Sequence, residues 1–107
     1  MSTPLAQLVE YLDAQIAEAE RSATAYRAQA AQCRELCAGL DAALAELRAA
    51  GGDAELEEFA ITRIARALDA EESNAQAALP YDAEAARLAA ARERLAVLVA
   101  QQPGAAT

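Results

Sequence analysis

Residues 5–47 decide the fold, and they read LAQLVEYLDAQIAEAERSATAYRAQAAQCRELCAGLDAALAEL. Apolar side chains recur in this stretch at alternating intervals of four and three residues, without a slip. A sustained period of seven residues is typical of a long α-helix that packs along a neighbouring helix as a coiled coil. We name these positions the N-terminal seam: Leu5, Val9, Leu12, Ile16, Ala19, Ala23, Tyr26, Ala30, Cys33, Cys37, Leu40, Leu44 and Leu47.

The signals at the two ends of this stretch predict the bounds of the first helix. Thr3 provides a hydroxyl cap, and Pro4 suits the first helical position because its missing N–H would have no helical partner there. Gly51-Gly52 is the first strong stop signal, since the isolated Gly39 does not interrupt the apolar spacing. The first helix should therefore run from about residue 4 to about residue 50.

Two shorter helices are predicted in the rest of the chain. Asp53 can cap a helix over about residues 54–78, and Pro80 is expected to end it, because proline cannot continue the hydrogen-bond ladder. A third helix is predicted over about residues 83–100, followed by a flexible tail at 101–107. Alanine and other strong helix formers dominate the composition, and nothing alternates as a strand would. We expect an all-α protein with a single helical domain over residues 1–107.

The charge of the chain narrows its possible partners. Seventeen acidic and nine basic residues give a net charge of −8, and all the basic residues are arginine. This balance argues against direct binding to nucleic acid or to an anionic membrane. Neither a signal peptide nor a transmembrane stretch is recognisable, so we expect a cytoplasmic protein. Arginine without lysine, together with abundant alanine, indicates a GC-rich coding sequence, as in a bacterium or a phage.

The charges beside the N-terminal seam indicate how it is paired. Asp13, Glu20, Arg27 and Arg34 lie on one flank of the predicted helix. Two copies of this helix in antiparallel orientation would pair Asp13 with Arg34 and Glu20 with Arg27. We therefore predict a helical bundle formed by antiparallel self-association, as a homodimer or higher oligomer. The alternative is that the second and third helices fill the same seam within one chain.

Cys33 and Cys37 lie four residues apart and occupy two positions of the seam. Free cysteine commonly behaves as a small buried apolar residue, and this is the interpretation that we favour. A metal site or a redox switch is the alternative, but a four-ligand metal site would need further ligands, and the chain contains no histidine. We expect no bound metal.

Few residues of the chain suit catalysis. Histidine and lysine are absent, and the glycines form no phosphate-binding loop, so we expect neither catalytic residues nor a cofactor, and no enzymatic activity. The acid pairs Glu57-Glu58 and Glu71-Glu72 are expected to be solvated. Five arginines could form an anion or nucleotide site if the fold gathers them, although pairing with acids one helical turn away is an alternative. They are Arg63, Arg66, Arg87, Arg92 and Arg94.

Phe59 does not fit the apolar face of the second helix. At 100° per residue it lies about 140° from Ile64, which is near the centre of that face. An exposed phenylalanine at this position is a candidate partner contact, and burial by a neighbouring helix is the alternative.

These features predict a non-enzymatic protein–protein interaction module. We expect a small acidic adaptor, chaperone-like protein or assembly protein that acts as a homo-oligomer and binds another protein through apolar grooves. The alternative is an acidic inhibitor, of the phage counter-defence type, that occupies a basic nucleic-acid- or nucleotide-binding site of a partner protein. A binder of a small anionic nucleotide is a third hypothesis, which depends on the arginines alone.

Overall fold

The computed structural model describes residues 3–103, and it contains two long α-helices in a hairpin. Helix α1 spans Pro4–Ala49 and helix α2 spans Ala54–Ala100. No strand occurs within the described residues. The all-α prediction and the long first helix are therefore confirmed, and α1 runs through the exposed Gly39 without interruption.

The prediction of two shorter helices after the turn is wrong, because Pro80 lies inside α2 and does not end it. Proline at this position cannot donate to the carbonyl of Gln76, which costs the helix about 3 kcal/mol relative to alanine. Both residues are exposed, so water can hydrate that carbonyl. Ala78, Tyr81 and Ala85 continue the coiled-coil spacing across the proline. Packing of one continuous face outweighs the local preference to stop.

The two glycines after α1 end that helix with a Schellman motif. The N–H of Gly52 donates to the carbonyl of Leu47 at 2.9 Å, and the N–H of Gly51 donates to that of Arg48 at 3.2 Å. Gly51 has φ of 112° and Gly52 has φ of 75°, which are conformations that side chains with a Cβ rarely adopt. The Gly-Gly pair therefore fixes the place of the turn.

Each helix begins at a side-chain cap. The Asp53 carboxylate accepts hydrogen bonds from the N–H groups of Glu55 and Leu56 at 3.0 and 3.1 Å. The Thr3 hydroxyl accepts one from the N–H of Ala6 at 3.1 Å. These bonds satisfy donors that have no partner within the helix. The two predicted helix starts are thus found where the sequence placed them.

The helices form two compact units. The first unit combines residues 1–24 with 79–107, and the second is the hairpin of residues 25–78. Both helices contribute to both units, and a single domain over 1–107 stays a prediction. Of the predicted flexible tail, residues 101–103 form a turn after α2, and residues 104–107 lie outside the described part.

Small side chains fill the seam between the helices in each unit. The buried residues of the first unit are Ala19, Ala23 and Leu95, and those of the second are Ala30, Cys37, Leu44, Ala60, Ala67 and Ala78. Small residues allow two helix backbones to approach closely, but they bury little apolar area. No larger side chain within residues 3–103 is completely buried. The seam therefore leaves many large apolar side chains at its edges.

Neither helix is apolar enough, over its described residues, to cross a membrane.

Candidate protein-interaction surface

The N-terminal seam is the face of α1 that packs against α2. Five of its positions are buried, and the other eight are half-buried. In each unit the segment of α1 packs along the segment of α2 that belongs to the same unit. The structure therefore follows the alternative in which one chain fills its own seam. Antiparallel self-association of two copies through this seam is not supported, because α2 already covers it.

The charges expected to orient two copies pair within the chain instead. In the first unit Arg92 Nε lies 3.0 Å from an Asp13 carboxylate oxygen. In the second unit Arg34 Nε lies 2.9 Å from a Glu71 carboxylate oxygen. The predicted bond between Asp13 and Arg34 of another copy is thus replaced by two bonds to α2. Ion pairs of this exposure stabilise by about 1 kcal/mol or less, so they select the register more than they hold the fold.

A third interhelix pair follows the same pattern. Arg48 Nε lies 2.8 Å from a Glu57 carboxylate oxygen in the second unit. Here too a charge on the flank of α1 meets a carboxylate close to the seam. Glu20 and Arg27, the other two predicted orienting charges, lie at exposed positions of α1, Glu20 in the first unit and Arg27 in the second.

The partners of these charges on α2 were missed by sequence reasoning. Glu57 and Glu71 belong to the acid pairs that were expected to be solvated, and Arg92 was considered only for an anion site. All three occupy positions of a second heptad, which becomes visible only when Pro80 is treated as part of one helix. That heptad runs through Glu57, Ala60, Ile64, Ala67, Glu71, Asn74, Ala78, Tyr81, Ala85, Leu88, Arg92, Leu95 and Val99.

The two cysteines are packed against α2 to different degrees. Cys37 is buried, and its Sγ donates to the carbonyl of Ile64 at 3.7 Å, whereas Cys33 is half-buried. Burial raises the pKa of the Cys37 thiol, and the nearby Glu71 and Asp41 carboxylates and Cys33 raise it further. Cys37 is therefore held as a neutral thiol that fills the seam. No cluster of three or more potential metal ligands is present within residues 3–103.

Large apolar side chains are exposed on both helices. Each of those below exposes more than a third of its surface, and most belong to α2. They are Leu8, Tyr11, Leu36, Leu56, Phe59, Ile61, Leu68, Leu79, Tyr81, Val97 and Leu98. Several of them, Leu56, Ile61, Leu68 and Leu79 among them, were assigned to the apolar face of the second predicted helix. The structure places these four beside the seam rather than in it.

Phe59 lies where the sequence places it, on the exposed side of α2. Its side chain is 59% exposed, and the guanidinium carbon of Arg63 lies 4.9 Å from the ring centroid. This distance permits a cation–π interaction. Leu56 and Arg66 share this flank of α2, and we name Leu56, Phe59, Arg63 and Arg66 the basic strip. No helix within the described residues covers Phe59.

A shallow depression adjoins the basic strip on the outer surface of α2. It has a volume of about 350 Å³, and Phe59, Arg63 and Arg66 line it together with Thr62, Glu55 and Glu58. Because two carboxylates share the depression with the two guanidinium groups, it is poorly suited to a small anion. An aromatic or aliphatic side chain with polar neighbours would fit this mixture better.

The five arginines considered for an anion site are divided between the two units. The second unit contains Arg63 and Arg66, and the first contains Arg87, Arg92 and Arg94. In the first unit Arg87 pairs with Glu84 one turn earlier, as expected from the helical spacing, and Arg92 pairs with Asp13. Only Arg63 and Arg66 have no ion pair within the described residues and also share one surface. The anion site stays a hypothesis, now reduced to these two side chains.

Comparison with known proteins gives this surface no relative. The chain significantly matches no protein-family model, no curated protein and no solved structure.

Proposed function

We propose that this protein is a non-enzymatic protein–protein interaction module, an adaptor, chaperone-like or assembly protein that acts as a homo-oligomer. The observation that supports this function most strongly is the exposure of large apolar side chains beside a seam built mainly from alanine. A helical domain normally packs its apolar surface against a second layer. A hairpin offers only one such contact, and further helices from another chain would supply the missing one.

The second unit allows the size of this effect to be judged. Leu36, Leu56, Phe59, Ile61 and Leu68 each leave between 48% and 59% of their surface exposed. Complete burial of a large apolar side chain contributes about 1.5–3 kcal/mol, so burial of the exposed half of five contributes about 4–7 kcal/mol. This is enough to offset part of the entropy lost on association, and it makes weak to moderate self-association the expected behaviour.

Self-association through these flanks differs from the interface first predicted for the N-terminal seam. The seam stays filled by α2, and the contact between copies is made by side chains that the seam leaves exposed. Each chain therefore folds first and associates afterwards. A partner protein with an amphipathic helix would use the same surface by helix-in-groove recognition.

The acidic inhibitor is the second candidate function, and the net charge of −8 favours it. Such an inhibitor would bind a basic site mainly through charge, so its affinity would fall steeply as salt rises. Binding through apolar flanks would persist in high salt. A salt titration of any complex formed by this chain therefore separates the two functions.

Light scattering over a range of concentrations tests the proposed function directly. We expect the mass to rise above the 11.2 kDa of one chain as the concentration increases. Phe59→Ser should weaken this association and leave the melting temperature unchanged, because Phe59 is largely exposed. Ala90→Ser, at an exposed position of α2 in the first unit, is the matched control. A mass of one chain at every concentration, or a Phe59→Ser variant that loses stability but associates normally, would contradict the proposal.

A further inference from the structure

Helix α2 of the second unit carries exposed apolar residues on both flanks of its seam, and the two flanks differ in charge. One flank is the basic strip. The other carries what we name the acidic strip: Glu58, Ile61, Ala65, Leu68 and Glu72. All the residues of both strips are exposed, and Ile61 and Leu68 expose 48% and 52% of their surfaces.

Helical geometry places the strips on opposite sides of the seam. At 100° per residue, with Ile64 at 0°, the basic strip covers about −80° to −160° and the acidic strip covers about 40° to 120°. The seam residues Ala60, Ala67 and Glu71 lie between them, at about −20° to −60°. One surface that packs on one partner therefore cannot include both strips.

The charges of the two strips are mostly unused within the chain. Arg63 and Arg66 form no ion pair with any described residue, although Arg63 lies over the ring of Phe59. Glu58 likewise forms no ion pair in the described part, and one oxygen of Glu72 accepts a hydrogen bond from the Gln76 amide at 3.3 Å. Two arginines on one flank are unusual for a chain of net charge −8. Contact between the strips would bury apolar side chains and bring opposite charges together.

We infer that copies of this chain associate through a heterologous contact, in which the basic strip of one copy packs on the acidic strip of the next. The inference rests on the proposed function as a self-associating interaction module, and it names the surface and its occupant. A contact of either strip with itself would place like charges together, which opposes association. Because the two strips face opposite ways, each copy has one strip of each kind left for another neighbour. Such a contact closes into a ring or continues as a filament, and it does not stop at a two-fold dimer.

Charge reversal tests the contact in the intact protein. One variant carries Arg63→Glu and Arg66→Glu, and the other carries Glu58→Arg and Glu72→Arg. We expect each reversal alone to raise the midpoint concentration of association by more than about tenfold, because like charges then face each other. Mixing the two variants in equal amounts should restore association, since each provides the strip that the other lacks. Light scattering gives the mass, and circular dichroism shows whether each variant keeps its helices.

Matched controls change the net charge by the same amount at exposed positions of the first unit. Arg21→Glu with Arg94→Glu matches the first variant, and Glu10→Arg with Glu93→Arg matches the second. Both controls should associate like the natural chain. If the natural chain associates and the strip reversals behave like the controls, or if the mixture stays dissociated, the heterologous contact is wrong while the proposed function survives. If the natural chain is a monomer at every concentration, both fail.

Discussion

Replacement of Gly39 by alanine tests whether α1 is one continuous helix in solution. Gly39 lies within α1, is exposed, and has no atom within 4 Å of the place where a Cβ would be added. The new methyl group would thus meet neither the backbone nor a neighbouring side chain. The only expected effect is on helix propensity and on the freedom of the unfolded chain, and both favour alanine.

The size of the effect follows from this environment. Alanine is more favourable than glycine inside a helix by about 0.5–1 kcal/mol, and nothing at this position opposes the gain. For a domain of this size, 1 kcal/mol shifts the melting temperature by about 4–8 °C. We therefore expect Gly39→Ala to melt about 2–8 °C higher than the natural chain, by far-UV circular dichroism. Urea denaturation should give the matching rise in the free energy of unfolding.

Gly51→Ala is the matched control, because it makes the same chemical change at a φ of 112°. No atom lies within 4 Å of the added Cβ there either, so only the backbone conformation differs. The control should lose about 1–2 kcal/mol, since a residue with a Cβ is strained at positive φ. A Gly39→Ala variant that melts at or below the temperature of the natural chain would refute the reasoning. Gly39 would then form a break or a contact that the continuous helix does not contain.

Three further predictions concern the interior of the helices and the seam. Pro80→Ala should stabilise the protein by about 1–3 kcal/mol, because it restores an N–H that can donate to the carbonyl of Gln76, as urea denaturation would show. Ala67→Leu should destabilise it by about 1–3 kcal/mol in the same assay, because the larger side chain overfills a buried position of the seam. The raised pKa of Cys37 predicts a loss of stability as pH rises above its ordinary value of 9.0, because the unfolded thiol ionises first; melting temperatures against pH would measure this loss.

Each of these predictions has its own control. For Ala67→Leu the control is Ala65→Leu, at an exposed position of α2, which should leave the free energy of unfolding nearly unchanged. For the pH dependence, Cys37→Ala should flatten the melting curve above pH 9.0, and an unchanged slope would show that other groups cause it. A Pro80→Ala variant that is less stable than the natural chain would mean that α2 needs the proline.

The candidate site could be predicted only in part from the sequence. Phe59 was identified because it departs from the apolar periodicity, and the structure leaves it exposed. Ile61 and Leu68 could not be separated from the seam in the same way, since both fit the apolar face within about 60° of Ile64. Which of two adjacent apolar positions is buried depends on the exact line along which the other helix lies. That line is a property of the packed pair.

The helices themselves were determined by local signals in the sequence. The seven-residue spacing from Leu5 to Leu47 required one long helix with one packed face, and the left-handed glycines and the Asp53 carboxylate required a turn between residues 49 and 54. Capping hydrogen bonds and backbone strain act over a few residues, so a sequence is sufficient to locate them.

Only the tertiary structure decided what packs on the seam and whether α2 passes Pro80. The same heptad suits a second copy or the chain's own second helix, because a coiled-coil face does not record whether its partner is covalently attached. Proline costs a few kcal/mol locally, and whether packing along α2 exceeds that cost depends on contacts made by residues distant in sequence. Glu71 and Arg92 gained their partners on α1 as a result, and the charges of α1 became links within one chain.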